Sequence, residues 1–151
     1  MSLKILNKEE KREIEKKLKE QFGIKKINGL VLMRGKERLF LFSGNLNEDK
    51  IKKIEEKVNV ERVGIYFAKV VEDKLKLSLD GTQLFKSQIT KNILEVNEEQ
   101  MKEWMSGSDL FIKTGKKDFL VIKYKEDFLG CGKVSENKIR NFVPKNRRIK
   151  K

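Results

Sequence analysis

Residues 119–149, FLVIKYKEDFLGCGKVSENKIRNFVPKNRRI, hold the most informative pattern in the chain. Leu120, Ile122 and Tyr124 alternate with Val121 and Lys123, the period-two pattern of a strand with one well-buried face. Glu126 and Asp127 turn the chain, and Phe128 and Leu129 lead it back into the core. Gly130 and Gly132 flank Cys131, a place where the backbone bends or lies close to another chain. Lys133 projects just past that bend. Further strands are expected over 130–134 and 138–143, before a close in which Pro144 precedes Lys145, Arg147 and Arg148. Short strands joined by tight turns, with a helix before them, predict a small mixed β-barrel.

Working outward, Asn97 and Gln100 have the spacing of a capping box, so a helix is expected from there to about residue 106. Met101, Trp104 and Met105 form its apolar face, and Gly107 ends it. A short helix is expected over 81–88, opened by Asp80, and strands over 92–96 and 109–113. The first half of the chain has a different rhythm. Asn7 and Glu10 open a helix over 8–22, with Ile14, Leu18 and Phe22 on one stripe and Gly23 at its end. Strands fit 29–33 and 38–43, linked by a turn at 34–37. Asn47 caps a second predicted helix, 48–58. Strands over 62–71 and 74–79 follow, joined through Glu72 and Asp73. The class is α+β: an N-terminal unit over 1–75, then a barrel-like C-terminal domain with one or two short helices over 76–151. No Pro/Ser-rich linker separates the two, so they are expected to pack together.

The chain of 151 residues has a formal net charge of +13 and no histidine. Without histidine, Ser-His-Asp and Cys-His catalysis and His-ligated zinc are excluded within these residues. A single cysteine, Cys131, makes an internal disulfide impossible and is expected of an intracellular, cytoplasmic chain. The opening residues lack the apolar core of a secretory signal, and no apolar run is long enough to span a bilayer. The charge is uneven. Residues 133–151 carry eight basic residues against Glu136, whereas residues 76–132 are balanced at nine of each sign. Such a basic chain is expected to meet a polyanion, nucleic acid first. The first 75 residues hold 19 basic and 13 acidic residues. The two signs interleave there, which favours an ordinary solvated surface.

The motifs Leu129-Gly130-Cys131-Gly132-Lys133, Lys138-Ile139-Arg140-Asn141 and Pro144-Lys145-Asn146-Arg147-Arg148 occur in that order. Together they resemble the PUA-like RNA-binding domain at the C-terminus of Sun/Fmu-type RNA cytosine-C5 methyltransferases. The helix closing on Gly107-Ser108-Asp109-Leu110 fits the same pattern, and the resemblance covers about residues 80–149. The layout is also similar to small two-domain ribosome-biogenesis proteins with a C-terminal PUA domain, through residues 64–69 and Phe128-Leu129-Gly130. The chain has no glycine-rich strand-to-helix loop for S-adenosylmethionine and no cysteine in a catalytic context. The resemblance therefore implies the RNA-binding part alone.

That implication, with the charge, gives the candidate residues. Lys133, Lys138, Arg140, Lys145, Arg147 and Arg148 suit phosphate, Arg bidentately and Lys as a point charge. A solvated edge strand is the alternative. Asn141 is a candidate base reader, with a turn or strand-end role equally open. Lys86, Ser87 and Lys91, in a polar stretch with Gln88 and Thr90, suit backbone and 2′-hydroxyl contacts or an ordinary loop. Phe142 is the aromatic expected to stack on a base, whereas Trp104, Tyr124 and Phe128 read as core. Cys131 reads as a small residue between glycines rather than a nucleophile. No catalytic residue, cofactor or metal is expected. The expected role is a non-enzymatic RNA-binding protein for structured rRNA or tRNA, in RNA modification or ribosome biogenesis. The expected partners besides RNA are a separate RNA methyltransferase, to which the chain would supply its RNA-binding domain, or a ribosome-assembly factor. No membrane is expected.

Overall fold

Asn7 starts the first helix as its spacing predicts. Its Oδ1 accepts from the Glu10 amide at 2.9 Å, and Glu10 Oε1 accepts from the Asn7 amide at 3.1 Å. The computed structural model describes residues 3–42 and 64–150; the expected helix over 48–58 and the start of the strand expected from 62 lie outside them. The elements are β1 (Leu3–Ile5), α1 (Lys8–Phe22), β2 (Leu30–Arg34), β3 (Arg38–Phe42), β4 (Ile65–Val71), β5 (Lys74–Leu77), α2 (Leu79–Leu84), β6 (Ile93–Glu95), α3 (Glu98–Met105), β7 (Phe119–Tyr124), β8 (Asp127–Val134) and β9 (Ile139–Arg140). A 3₁₀ turn, Lys145–Arg147, closes the chain. Among the described residues this is the α+β fold the sequence predicts.

β1 to β5 form an antiparallel sheet in chain order, and β6 to β9 form a second sheet in which β6 runs parallel to β7. Ile14, Leu18 and Phe22 of α1 cover one face of the first sheet. Gln21, nearly fully buried, ties that helix to β5 as a strand would. Its Nε2 donates to the Leu75 carbonyl at 3.0 Å, and its Oε1 accepts from the Leu75 amide at 2.8 Å.

Helix α2 begins earlier than expected. Ser78, not Asp80, is its cap: Ser78 Oγ accepts from the Gly81 amide at 2.9 Å and donates to the Tyr66 carbonyl at 2.7 Å. The hydroxyl satisfies a first-turn amide that has no helical partner, so the strand expected to 79 stops at Leu77. A side chain at Gly81 would meet the Phe67 carbonyl at 2.1 Å, so glycine is what lets α2 lie against β4.

The division expected at 75/76 falls inside β5, which stays paired with β4 through Leu77. The halves also share a core. Leu18, Phe22, Phe67 and Leu75 are in one cluster with Phe119, Val121, Phe128 and Cys131. Val96, Trp104, Leu110, Leu120, Ile122, Ile139 and Val143 form the second. Strand β7 is therefore buried on both faces, where the sequence showed one. Its Lys123 and Tyr124, at the far end, are the partly exposed positions.

Candidate nucleic-acid interface

The strands expected over 109–113 and 138–143 shrink to one bridge and two residues. The Leu110 amide donates to the Ile139 carbonyl at 3.0 Å, and the Ile139 amide to the Leu110 carbonyl at 2.7 Å. Beyond them side chains replace the ladder. The Asn141 amide donates to Asp109 Oδ1, and the Val143 amide donates to Asn141 Oδ1, both at 2.8 Å. Leu110 and Ile139 point into the second core, so their neighbours Asp109, Phe111, Lys138 and Arg140 stand on the opposite face. Lys133 of β8 is directly opposite Arg140 in the register and joins them.

This face brings one aromatic ring and three cations together. Phe111 is 79% exposed, the most exposed large apolar side chain among the described residues. Lys138 Nζ lies 3.3 Å from Asp109 Oδ2. The Asn141 amide, and then Lys138 and Arg140, hold the Asp109 carboxyl below its ordinary range against an opposing desolvation. Asp109 thus stays ionised and fixes Lys138 beside Arg140. The sequence reading missed Phe111, which falls inside the strand expected over 109–113. Its isolation on a segment that also carries Lys113, Lys116 and Lys117 was the available signal.

Asn141 does not face outward. Its Nδ2 donates to the Trp104 carbonyl at 2.7 Å and to the Ser108 carbonyl at 2.8 Å, so with the two bonds above the whole amide is engaged internally. These are the bonds of a strand end, and both hydrogens of the side-chain amide are donated within the protein. Phe142 is partly buried: it packs against the main core, and the Lys76 ammonium sits 4.0 Å from its ring centroid. Trp104 is fully buried, as its helical spacing predicts, and its Nε1 donates to the Leu129 carbonyl at 2.7 Å.

The basic close is fastened rather than free. Arg147 pairs with Asp80 at 2.9 Å, Arg148 Nε donates to the Val143 carbonyl at 3.0 Å, and the Ile149 amide donates to the Met105 carbonyl at 2.8 Å. Lys145 is exposed. Lys86, Ser87 and Lys91 are exposed too, but their segment is held at the far end of α1. The Thr90 and Lys91 amides donate to the Phe22 carbonyl, and Gln88 Oε1 accepts from the amides of Lys25 and Lys26, both at 3.0 Å. The candidate cations therefore fall into three places: the β8–β9 face, the closing turn by Asp80, and the end of α1.

Cys131 is buried, and burial pushes its thiol up to about 12. An unfolded thiol ionises near about 8.5. Between these values the unfolded chain has released a proton that the native chain keeps, so rising pH favours unfolding by up to about 1.4 kcal/mol per unit. Below that window the thiol is protonated in both states and stability does not vary with pH on its account. We expect Cys131→Ala to flatten the alkaline fall in stability between about pH 9 and 11, measured by denaturant unfolding at each pH. A chromogenic thiol reagent at pH 8 is expected to label the cysteine only in denaturant; rapid labelling of native protein would show an accessible thiolate instead.

The sheet β6–β9, its helix α3 and the basic close have the order and content of a PUA-like domain. Residues 91–149 match the family model described as the methyltransferase RsmF PUA domain. The three motifs at 129–133, 138–141 and 144–148 all fall inside that match. Over 131 residues the chain is 29% identical to a ribosomal RNA small subunit methyltransferase F from Psychromonas ingrahamii. The likeness takes in 83% of this chain and 26% of that protein, so the chain spans about a quarter of its relative's length. It reaches beyond residues 80–149 and into the first sheet. Among the described residues, no helix is long and apolar enough to cross a membrane and no cluster of metal-binding side chains occurs.

Proposed function

We propose that this chain binds structured RNA, ribosomal RNA before tRNA, through the face formed by Phe111, Lys133, Lys138 and Arg140. The observation that carries the reading is the juxtaposition on that face, within the PUA-matched residues, of an uncovered aromatic ring and three cations. Cations fix the position of a phosphate backbone, and a bare ring offers a stacking surface to an unpaired base. Lys145 and Arg147 extend the contact, and Lys86, Ser87 and Lys91 make a separate, weaker one. The role is binding rather than catalysis, in cytoplasmic rRNA modification. The quarter of the relative that the chain covers favours a companion reading, in which it supplies an RNA-holding surface to a methyltransferase active site.

A salt titration tests the reading. Affinity for a hairpin RNA with a single-stranded extension should fall linearly in log–log form, by about 0.7–0.9 per phosphate contact. A slope near zero would remove the phosphate contacts and the proposal with them.

A further inference from the structure

Strands β2 to β5 place four cations in one row. Arg34 stands opposite Arg38, Arg38 opposite Lys69, and Lys69 opposite Lys76. Their neighbours Leu39, Ala68, Leu75 and Leu77 point into the main core, so the row lies on the other face of the sheet. The charges are separated in sequence by loops and hairpins, and only the register aligns them.

Like charges directly opposite one another destabilise a sheet. The pKa of Lys76 is lowered, chiefly by burial and then by the charges of Lys69 and Arg38, opposed by Cys131. Glu37, largely exposed, sets a carboxylate 3.5 Å from Lys69. Arg38 is exposed, with its guanidinium 5.4 Å from the Tyr66 ring centroid.

The row also leads to the face described above. Lys76 lies over Phe142 and lines, with Tyr66, Cys131 and Arg147, a small cleft of about 110 Å³ between the sheets. Lys133 is two residues beyond Cys131 on the same face of β8, opposite Arg140. Arg38, Tyr66, Asn146 and Arg147 line one open groove beside the cleft. At about 4.8 Å per strand, the four cations cover roughly 14 Å in a line. A small anion occupies one position, whereas a phosphodiester strand carries a charge at every nucleotide and matches a row.

We infer that Arg34, Arg38, Lys69 and Lys76 form a second RNA-backbone track, which carries one strand across the five-stranded sheet to the Lys133–Arg140 edge. It rests on the RNA-binding reading and adds the N-terminal sheet to it.

The test uses the full chain with the triple variant Arg38→Gln, Lys69→Gln, Lys76→Gln. The probes are the hairpin RNA with its single-stranded extension and poly-glutamate. The expected result is a salt slope smaller by about 2 and an affinity at least about tenfold lower at moderate salt. The melting temperature should hold or rise, because opposed charges have been removed. Lys69→Arg with Lys76→Arg should keep the wild-type slope. If the triple variant loses stability, Lys69→Gln alone should still lower the slope by about 0.7–0.9. A wild-type slope in the variants, with steep binding by the wild type, overturns the track and leaves the RNA reading standing. No salt-dependent RNA binding by the wild type overturns both. Loss of poly-glutamate binding with RNA binding intact assigns the row to an acidic protein and overturns the track.

Discussion

Trp104→Ala should lower the melting temperature by roughly 10 °C or more and take RNA binding down with it. The indole is the largest fully buried side chain and sits among Leu110, Leu120, Ile122, Ile139 and Val143. Removing such a side chain costs about 3–5 kcal/mol, and about 2–4 °C of melting temperature goes with each kcal/mol in a chain of this size. The Leu129 carbonyl also loses its donor, Nε1, which adds about 1–3 kcal/mol if water does not replace it. The cavity cannot close easily. A side chain at Gly132 would come within 2.6 Å of Trp104 Cη2, so the ring occupies the space that the glycine leaves on β8. The same core positions Leu110 and Ile139, and through them the exposed Phe111, Lys138 and Arg140. Trp104→Phe keeps most of the burial and loses the bond to Leu129, so it should cost about 1–3 kcal/mol, less than Trp104→Ala. Thermal unfolding of both variants checks the pair. A loss under about 1 kcal/mol for Trp104→Ala would mean that the second core is not built around the ring.

Local signals in the sequence were legible where one residue determines the outcome. Asn7 with Glu10 and Asn97 with Gln100 are capping boxes in the structure, and α1 ends where Gly23 predicts. The motifs from 129 to 148 carry the resemblance to the PUA-like domain in the sequence itself, and all lie within the matched residues. Features that depend on pairing were not legible. The +6 of the first 75 residues looked like interleaved surface charge, because Arg34, Arg38, Lys69 and Lys76 become neighbours only through the register of four strands. A strand is expected over 109–113, whereas Asp109 and Asn141 end that ladder with their side chains and leave Phe111 uncovered. Asn141 itself is a polar residue in a basic run, and nothing local distinguishes a base reader from a strut. Four hydrogen bonds to groups between two and 37 residues away make it a strut here, and none of them is visible in the local sequence.

Charge and stacking on the β8–β9 face should separate cleanly. Phe111→Ala should weaken binding to the extended hairpin about 5- to 150-fold, the equivalent of about 1–3 kcal/mol for one stacked base. Its salt slope should not change, because no charge is lost. The variant should fold normally, since a side chain 79% exposed gives up little burial. Lys133→Gln with Lys138→Gln and Arg140→Gln should do the reverse, lowering the slope by about 2 to 3. Its affinity deficit should be largest at low salt and should close as salt rises. Phe111→Trp should bind as well as wild type or better, because the larger ring keeps the stacking surface. A blunt hairpin without unpaired bases should be indifferent to Phe111 and sensitive to the cations. If Phe111→Ala matches wild type on the extended hairpin at every salt concentration, the ring is not a stacking platform, while the phosphate contacts are judged on the slope alone. If both variants lose affinity by the same factor at all salt concentrations, with unchanged slopes, the three cations do not touch phosphate and the interface lies on another face.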